Sequence, residues 1–343
     1  MISDSPIPFK GSPGSPYTRK MLAVLRYRHI PYELLMGGHD NDFGMPRAKV
    51  ELLPTFYMNN AQGEIEAVVD STPIIRRLEL EFPYARSIIP DNPVLDFINA
   101  LLEDYGDEWL TKAMFHYRWH YQADRENAGN MLPRWGMLGE SEESIKERNE
   151  YFTDRQVNRL YVVGSNDRTA PVIEASYRRF LDIMDKLIQQ HPFLLGDRPS
   201  SADFAFYGQL TQLAQFDPTP RELTMTQAPR IYAWVDVVDD LSGLRPESTD
   251  WLNVEEASRM LRPLLTEVGR TYVPVMLANA KAMNEGAKLV ETTVEGEAWE
   301  QQAFPYQARC VAELRSAFVR LDEAERDEAV AILECTGCEK MFS

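Results

Sequence analysis

Residues 11–20 read Gly-Ser-Pro-Gly-Ser-Pro-Tyr-Thr-Arg-Lys, a turn-forming segment between a short apolar stretch and an amphipathic one. The stretch before it, residues 6–10, is a candidate strand. Residues 16–29 predict a helix, because apolar side chains recur on one face and cations fill the last turn, where they suit the helix dipole. Ser15 is a favourable N-cap, and Pro16 suits the first helical position. The segment therefore predicts a strand–turn–helix unit.

Strand and helix patterns alternate around that unit. Further strands are predicted at residues 31–36, 55–59 and 65–69, and a second helix at residues 73–81. This order predicts a small α/β domain in which helices pack on one sheet. Three prolines within residues 82–93 predict the linker that ends it.

Beyond the linker, helical patterns dominate. An all-α domain is expected, with loops at residues 127–139 and 164–171. A mainly helical extension follows, in which a hairpin is predicted around Glu295-Gly296. The predicted domains are residues 1–84, 94–244 and 245–343.

Composition narrows the classes of protein to consider. The chain has 343 residues, 36 cationic and 53 acidic, for a net charge of −17. This balance disfavours binding to nucleic acid and anchoring to anionic membranes, both of which need cations. No apolar run reaches the ~18 residues of a membrane span, and the first ten residues lack the pattern of a signal peptide. The three cysteines cluster near the C-terminus, which fits a reducing cytosol, so a cytoplasmic location is expected.

Ser15 is the first candidate for chemistry. A helix N-terminus offers free N–H groups and a partial positive charge, so an anion such as a thiolate is stabilised there. A thiol bound at this point would lose its proton more easily, and a serine hydroxyl could donate to its sulfur. The alternative is that Ser15 only caps the helix.

Two further segments carry ligand-binding potential. Pro54 precedes a strand, and a cis peptide bond before it would let Leu53 offer its N–H and C=O to a peptide-like ligand; the alternative is a trans proline that starts an edge strand. Asp70 and Ser71 open the second helix. Asp70 suits the ammonium and Ser71 the carboxylate of an amino-acid-like ligand; the alternative is that Ser71 or Thr72 only caps the helix.

The order and spacing of these segments resemble the thioredoxin-like domain of the glutathione S-transferase family, in its serine-type tau-, zeta- and omega-like members. The resemblance implies that Ser15 is catalytic. It also implies a glutathione site formed by Ser15, Leu53, Pro54, Asp70 and Ser71. The expected activity is a transferase in which the glutathione thiol attacks a small hydrophobic electrophile. Glutathione is then a co-substrate, no metal is expected, and a homodimer is implied.

The helical region supports the same resemblance. Residues 193–203 resemble the family's Gly-Asp segment followed by Ser-x-x-Asp, and residues 228–234 resemble its next helix. The family's second-substrate pocket would then involve Tyr17, Tyr105, Trp109 and His116. The alternative for these side chains is an aromatic seam between helices. His116 and His120 have metal-ligand spacing, but no third ligand is evident.

Several alternatives stay open at this level. Ser12 and Tyr17 compete with Ser15 as the reactive hydroxyl, although Ser15 is preferred. The protein could be a non-catalytic binding or assembly module of the same fold, with the extension as a partner surface. Cys335 and Cys338 have redox spacing, which would suit a glutathione-dependent reductase.

Overall fold

The computed structural model of the chain describes residues 5–38, 41–83 and 86–343, and it begins with a four-stranded sheet. The strands are β1 (Ile7–Gly11), β2 (Tyr32–Met36), β3 (Thr55–Asn59) and β4 (Ile65–Val68). They lie in the order β2-β1-β3-β4, with β2 parallel to β1 and the other pairs antiparallel. Two helices, α1 (Pro16–Arg28) and α2 (Ser71–Glu81), accompany the sheet. The predicted thioredoxin-like domain is confirmed.

Helix α1 connects the sheet to the rest of the molecule. Ser15 caps it, and its apolar face is fully buried. It packs against α8 (Ser201–Leu210) of the helical domain. Gly208 allows this contact, because a Cβ atom there would lie 2.5 Å from the carbonyl oxygen of Pro16. The first turn of α1 is therefore held between the two domains.

The helical domain follows the prediction with one correction. Its other helices are α3 (Pro93–Tyr105), α4 (Thr111–His120), α5 (Gln122–Met131), α6 (Glu142–Val157), α7 (Ala170–Leu187), α9 (Pro218–Gln227) and α10 (Pro229–Val238). The prediction of a loop over residues 127–139 is wrong, because α5 and a 3-10 turn at Pro133–Gly136 occupy most of it. Helix α5 buries only Asp124, Ala128 and Gly129, so it has no apolar stripe for a pattern to detect.

Two segments of this domain, at residues 106–110 and 211–216, are π-helical, and the first carries Trp109 of the predicted second-substrate pocket. Helices α3 and α4 are joined by a π-helical segment, Gly106–Leu110. Such segments are rare and often lie at functional sites. Here it carries Asp107, Glu108 and Trp109 into the interior, where all three are buried.

The extension folds against both preceding parts. It contains α11 (Val254–Asn284), β5 (Leu289–Val294), β6 (Glu297–Gln302), α12 (Pro305–Arg320) and α13 (Glu323–Leu333). The predicted hairpin is present, and Glu295 and Gly296 both have positive φ, as its tight turn requires. One buried apolar core runs from Phe9 in the sheet to Val311 in the extension. Over the residues described, no helix combines the length and apolarity needed to cross a bilayer.

Candidate functional site

The Ser15 hydroxyl lies at the N-terminus of α1, beside the turn before β3. Its oxygen accepts a hydrogen bond from the Thr18 N–H at 3.2 Å and donates to the Leu53 carbonyl at 3.1 Å. The peptide bond between Leu53 and Pro54 is cis, as the first alternative for Pro54 predicts. The structure therefore brings Ser15 and the Leu53 peptide group together, with Ser15 half-buried.

The two competing hydroxyls have different surroundings. Tyr17 donates its hydroxyl to the Asp107 carbonyl at 2.8 Å, and burial raises the pKa of Tyr17, so the phenol stays protonated. Ser12 precedes the cap, and its carbonyl accepts from the Ser15 N–H at 3.0 Å. Ser15 alone of the three carries its side-chain oxygen at the cap of α1.

Asp70 precedes α2 and has an unusual backbone and unusual partners. Its φ of 83° lies where residues other than glycine are strained, and such residues cluster at functional sites. Its side chain makes no capping bond. Instead, Oδ2 accepts from the Tyr306 hydroxyl at 3.0 Å and from Arg309 Nη2, both on α12 of the extension. The extension therefore reaches the predicted ligand residues.

Ser71 is connected to a buried ionic network that the sequence analysis missed. Lys20 Nζ donates to Ser71 Oγ at 3.1 Å and lies 2.7 Å from both Glu103 and Asp107. Lys20 is only 1% exposed. The sequence feature that could have indicated this burial is the position of Lys20 three residues after Tyr17, on the same face of the helix. Burial opposes ionisation of Glu103, but the charge of Lys20 and the hydrogen bonds from Lys20 and Ser201 together outweigh it and lower the pKa of that carboxyl.

Further titratable groups lie where the π-helical segment and α4 meet the extension. Burial raises the pKa of Glu108 to about 8 and lowers the pKa of Lys112 to about 8. Glu108 accepts from Gln307 Nε2 at 3.1 Å, and Lys112 donates to Gln301 Oε1 at 3.0 Å. Within the described ranges, no group of three or more His, Cys, Asp or Glu side chains is arranged to hold a metal ion.

The predicted second-substrate residues are covered rather than open. Tyr105, Trp109 and His116 are each at most 1% exposed. The Trp109 ring lies 5.4 Å from the Trp299 ring of β6, between centroids, and His116 Nδ1 is 2.8 Å from Ser165 Oγ. In this structure the alternative of an aromatic seam describes the surroundings of these three side chains, and their second-substrate role stays a prediction. The extension covers one side of that seam.

The C-terminal cysteines do not form a reactive pair. Cys335 is exposed, whereas Cys338 is fully buried and donates its thiol to the Leu265 carbonyl. Burial raises the pKa of Cys338 to about 12, so it stays a thiol at neutral pH. These surroundings disfavour the reductase alternative.

Comparison of the sequence with protein families places this geometry in context. Residues 10–86 match the glutathione S-transferase N-terminal domain, and residues 147–236 match the glutathione S-transferase C-terminal domain. The chain belongs to the glutathione S-transferase family. The matches name no subclass, so the serine-type grouping stays a prediction. Residues 237–343 lie outside both matches.

Solved structures with similar folds include other glutathione S-transferases. One from Methylobacterium radiotolerans, in complex with glutathione sulfonate, is 19% identical, with a TM-score of 0.42, covering 72% of this chain and 94% of its own. One from Rhodospirillum rubrum is 16% identical, with a TM-score of 0.42, covering 89% and 99%. The Tau class enzyme from mango is 16% identical, with a TM-score of 0.40, covering 76% and 100%. Comparison with curated protein sequences finds no match.

Proposed function

We propose that the protein binds glutathione along the N-terminal domain and that Ser15 holds its sulfur as a thiolate for attack on a small hydrophobic electrophile. The observation that carries the proposal is the Ser15 hydroxyl at the cap of α1, within a segment that matches the family's N-terminal domain. An anion at this point interacts with the helix dipole and with a hydroxyl donor at once.

The Ser15 hydroxyl has one proton to donate, and in the structure it donates to the Leu53 carbonyl. When a thiolate binds, the Ser15 hydroxyl would donate to its sulfur instead of to Leu53, while the Thr18 N–H still donates to the serine oxygen. Lowering a thiol pKa by about two units corresponds to ~2.7 kcal/mol, which one charged hydrogen bond and a helix end can supply. The proton lost by the thiol goes to solvent. A sulfur lone pair then forms the carbon–sulfur bond as the leaving group departs with its electron pair.

The other site residues fit the peptide part of glutathione. The Leu53 peptide group lies beside Ser15 and suits the cysteinyl backbone. Ser71 accepts from Lys20 and donates to no group among the described residues, so its hydroxyl proton is left for a ligand carboxylate. Asp70 suits the ammonium of the γ-glutamyl end.

Titration calorimetry with glutathione, combined with activity on model electrophiles, tests the proposal. We expect Ser15→Ala to bind glutathione but to lose about tenfold to a hundredfold in rate, because a hydrogen bond to a charged group is removed. The pKa of the bound thiol, followed by thiolate absorbance, should rise. Ser15→Thr should restore part of the activity, since it keeps a hydroxyl, and Ser12→Ala is the matched control.

An unchanged rate and thiol pKa in Ser15→Ala would refute the role of Ser15. Failure of the unaltered protein to bind millimolar glutathione would refute the proposed transferase activity as a whole. In that case the non-catalytic binding or assembly module becomes the better description, because the extension already occupies Asp70.

A further inference from the structure

The extension places an arginine on the residue proposed to bind the γ-glutamyl end. Arg309 Nη2 and the Tyr306 hydroxyl both contact Asp70 Oδ2, and the Asp70 side chain is left 13% exposed. The Arg309 side chain itself is 53% exposed. The N-terminus of α2 therefore carries an ion pair between Asp70 and Arg309, in which the arginine is accessible to solvent.

The guanidinium of Arg309 is held in place from several sides. It lies 4.7 Å above the ring centroid of Tyr306, and its Nε is 3.2 Å from the Glu313 carboxylate one turn later on α12. Among the described residues, none accepts a hydrogen bond from Nη1. The group is thus positioned before any ligand arrives and keeps donors for a further acceptor.

The charges nearby make this arginine important to an anionic ligand. Glu103 and Asp107 are buried beneath Ser71, and both contact the ammonium of Lys20. The Lys20 charge is therefore already engaged by these two carboxyls and is not free to pair with a ligand carboxylate brought to Ser71. Arg309 is an exposed cation in contact with the proposed γ-glutamyl site, so it is placed to give that ligand carboxylate a charged partner.

We propose that Arg309 is a specificity-determining residue, forming with Asp70 an ion pair that receives a zwitterionic γ-glutamyl group. The ligand carboxylate binds Arg309 and Ser71, and the ligand ammonium binds Asp70. The inference rests on the proposed glutathione site. It goes beyond that site because Arg309 lies in neither of the family-matched segments.

Two glutathione analogues separate the two charges. 4-Aminobutyryl-cysteinylglycine keeps the amine and lacks the α-carboxylate, whereas glutaryl-cysteinylglycine keeps that carboxylate and lacks the amine. In titration calorimetry, we expect the unaltered protein to bind each analogue about tenfold more weakly than glutathione. Arg309→Gln should lose discrimination against the first analogue, and Asp70→Asn should lose it against the second.

Arg320→Gln is the matched control, since Arg320 is an exposed arginine at the end of the same helix. Arg309→Lys keeps the charge and should retain part of the selectivity, and circular dichroism verifies that each variant is folded. Equal binding of glutathione and 4-aminobutyryl-cysteinylglycine by the unaltered protein would overturn the inference without using any variant. Tighter glutathione binding by Arg309→Gln would also overturn it, because Arg309 would then be blocking the site. If the unaltered protein binds no glutathione, the proposed function itself fails.

Discussion

Replacement of Lys20 by methionine tests the buried network beneath the candidate site. The Lys20 ammonium is enclosed and lies 2.7 Å from both Glu103 and Asp107. Methionine fills a similar volume without the charge, so two carboxylates lose their counter-ion in the interior. Removing one partner of a buried ion pair costs about 3–5 kcal/mol.

The loss of stability should fall within this range rather than double, because each carboxylate can be stabilised or neutralised without Lys20. Glu103 keeps hydrogen bonds from Thr72 and Ser201. Burial already raises the pKa of Asp107 to about 7, so this carboxyl can take up a proton when Lys20 is removed. A loss of ~4 kcal/mol lowers the melting temperature by about 6 °C for a chain of this size, with ~2.1 cal/mol/K of unfolding entropy per residue.

The pH dependence gives a second measure of the same effect. Because Lys20 lowers the pKa of Glu103 in the folded protein, its stabilisation is present above the usual glutamate pKa and is lost as pH falls through the lowered value. The gap between the two proteins in denaturant unfolding should therefore be constant above about pH 4.5 and shrink as the pH falls below that value.

Lys146→Met is the control, since Lys146 is an exposed lysine 4.0 Å from Glu150 and should cost almost nothing. Combining Lys20→Met with Asp107→Asn should recover part of the loss, because one uncompensated carboxylate is removed. Equal stability of Lys20→Met and the unaltered protein at neutral pH would refute the network's role.

Three further changes test the contacts of the extension by denaturant unfolding. Burial raises the pKa of Glu108 to about 8, so stability should fall as pH rises from about 4.5 to about 8, and Glu108→Gln should remove this fall; an unchanged pH profile contradicts it. Trp299→Ala should cost about 3–5 kcal/mol, because a fully buried ring is deleted; a loss below about 1 kcal/mol would show that the hairpin is not packed here. Gly269→Ala should cost about 1–3 kcal/mol, since its Cβ would lie 2.2 Å from the Thr336 carbonyl, whereas Gly243→Ala, with open space around it, should cost less than about 1 kcal/mol.

The elements that could be predicted from the sequence are those with strong local signals. Strand Thr55–Asn59 has the predicted bounds, and the extension's hairpin turns at Glu295-Gly296 as expected. Both depend on neighbours in the chain: an apolar run between turn residues in one case, a positive-φ pair in the other. The position of Ser15 at the start of the first helix could also be predicted, because an N-cap followed by proline is a short-range pattern.

What could not be predicted depends on distant contacts. The charge of Lys20 predicts exposure, and only its partners Glu103 and Asp107, more than eighty residues away, make its burial possible. Trp109 is suitable for a pocket wall, and its covering by Trp299 follows from how a segment outside both family matches folds back. Local periodicity contains no information on such pairings.

Because of the position of α12, family membership alone does not predict which ligand Asp70 would prefer. Among the residues that the structure describes, the Asp70 carboxylate has two side-chain partners, and both come from residues beyond 300. Whatever binds at Asp70 must displace Tyr306 and Arg309 or bind together with them, and a ligand with both charges can do the latter without leaving either charge unpaired. We therefore expect the ligand preference proposed for the N-terminal domain to depend on the extension as well, so that removing residues 304–343 changes selectivity at Asp70 rather than only stability.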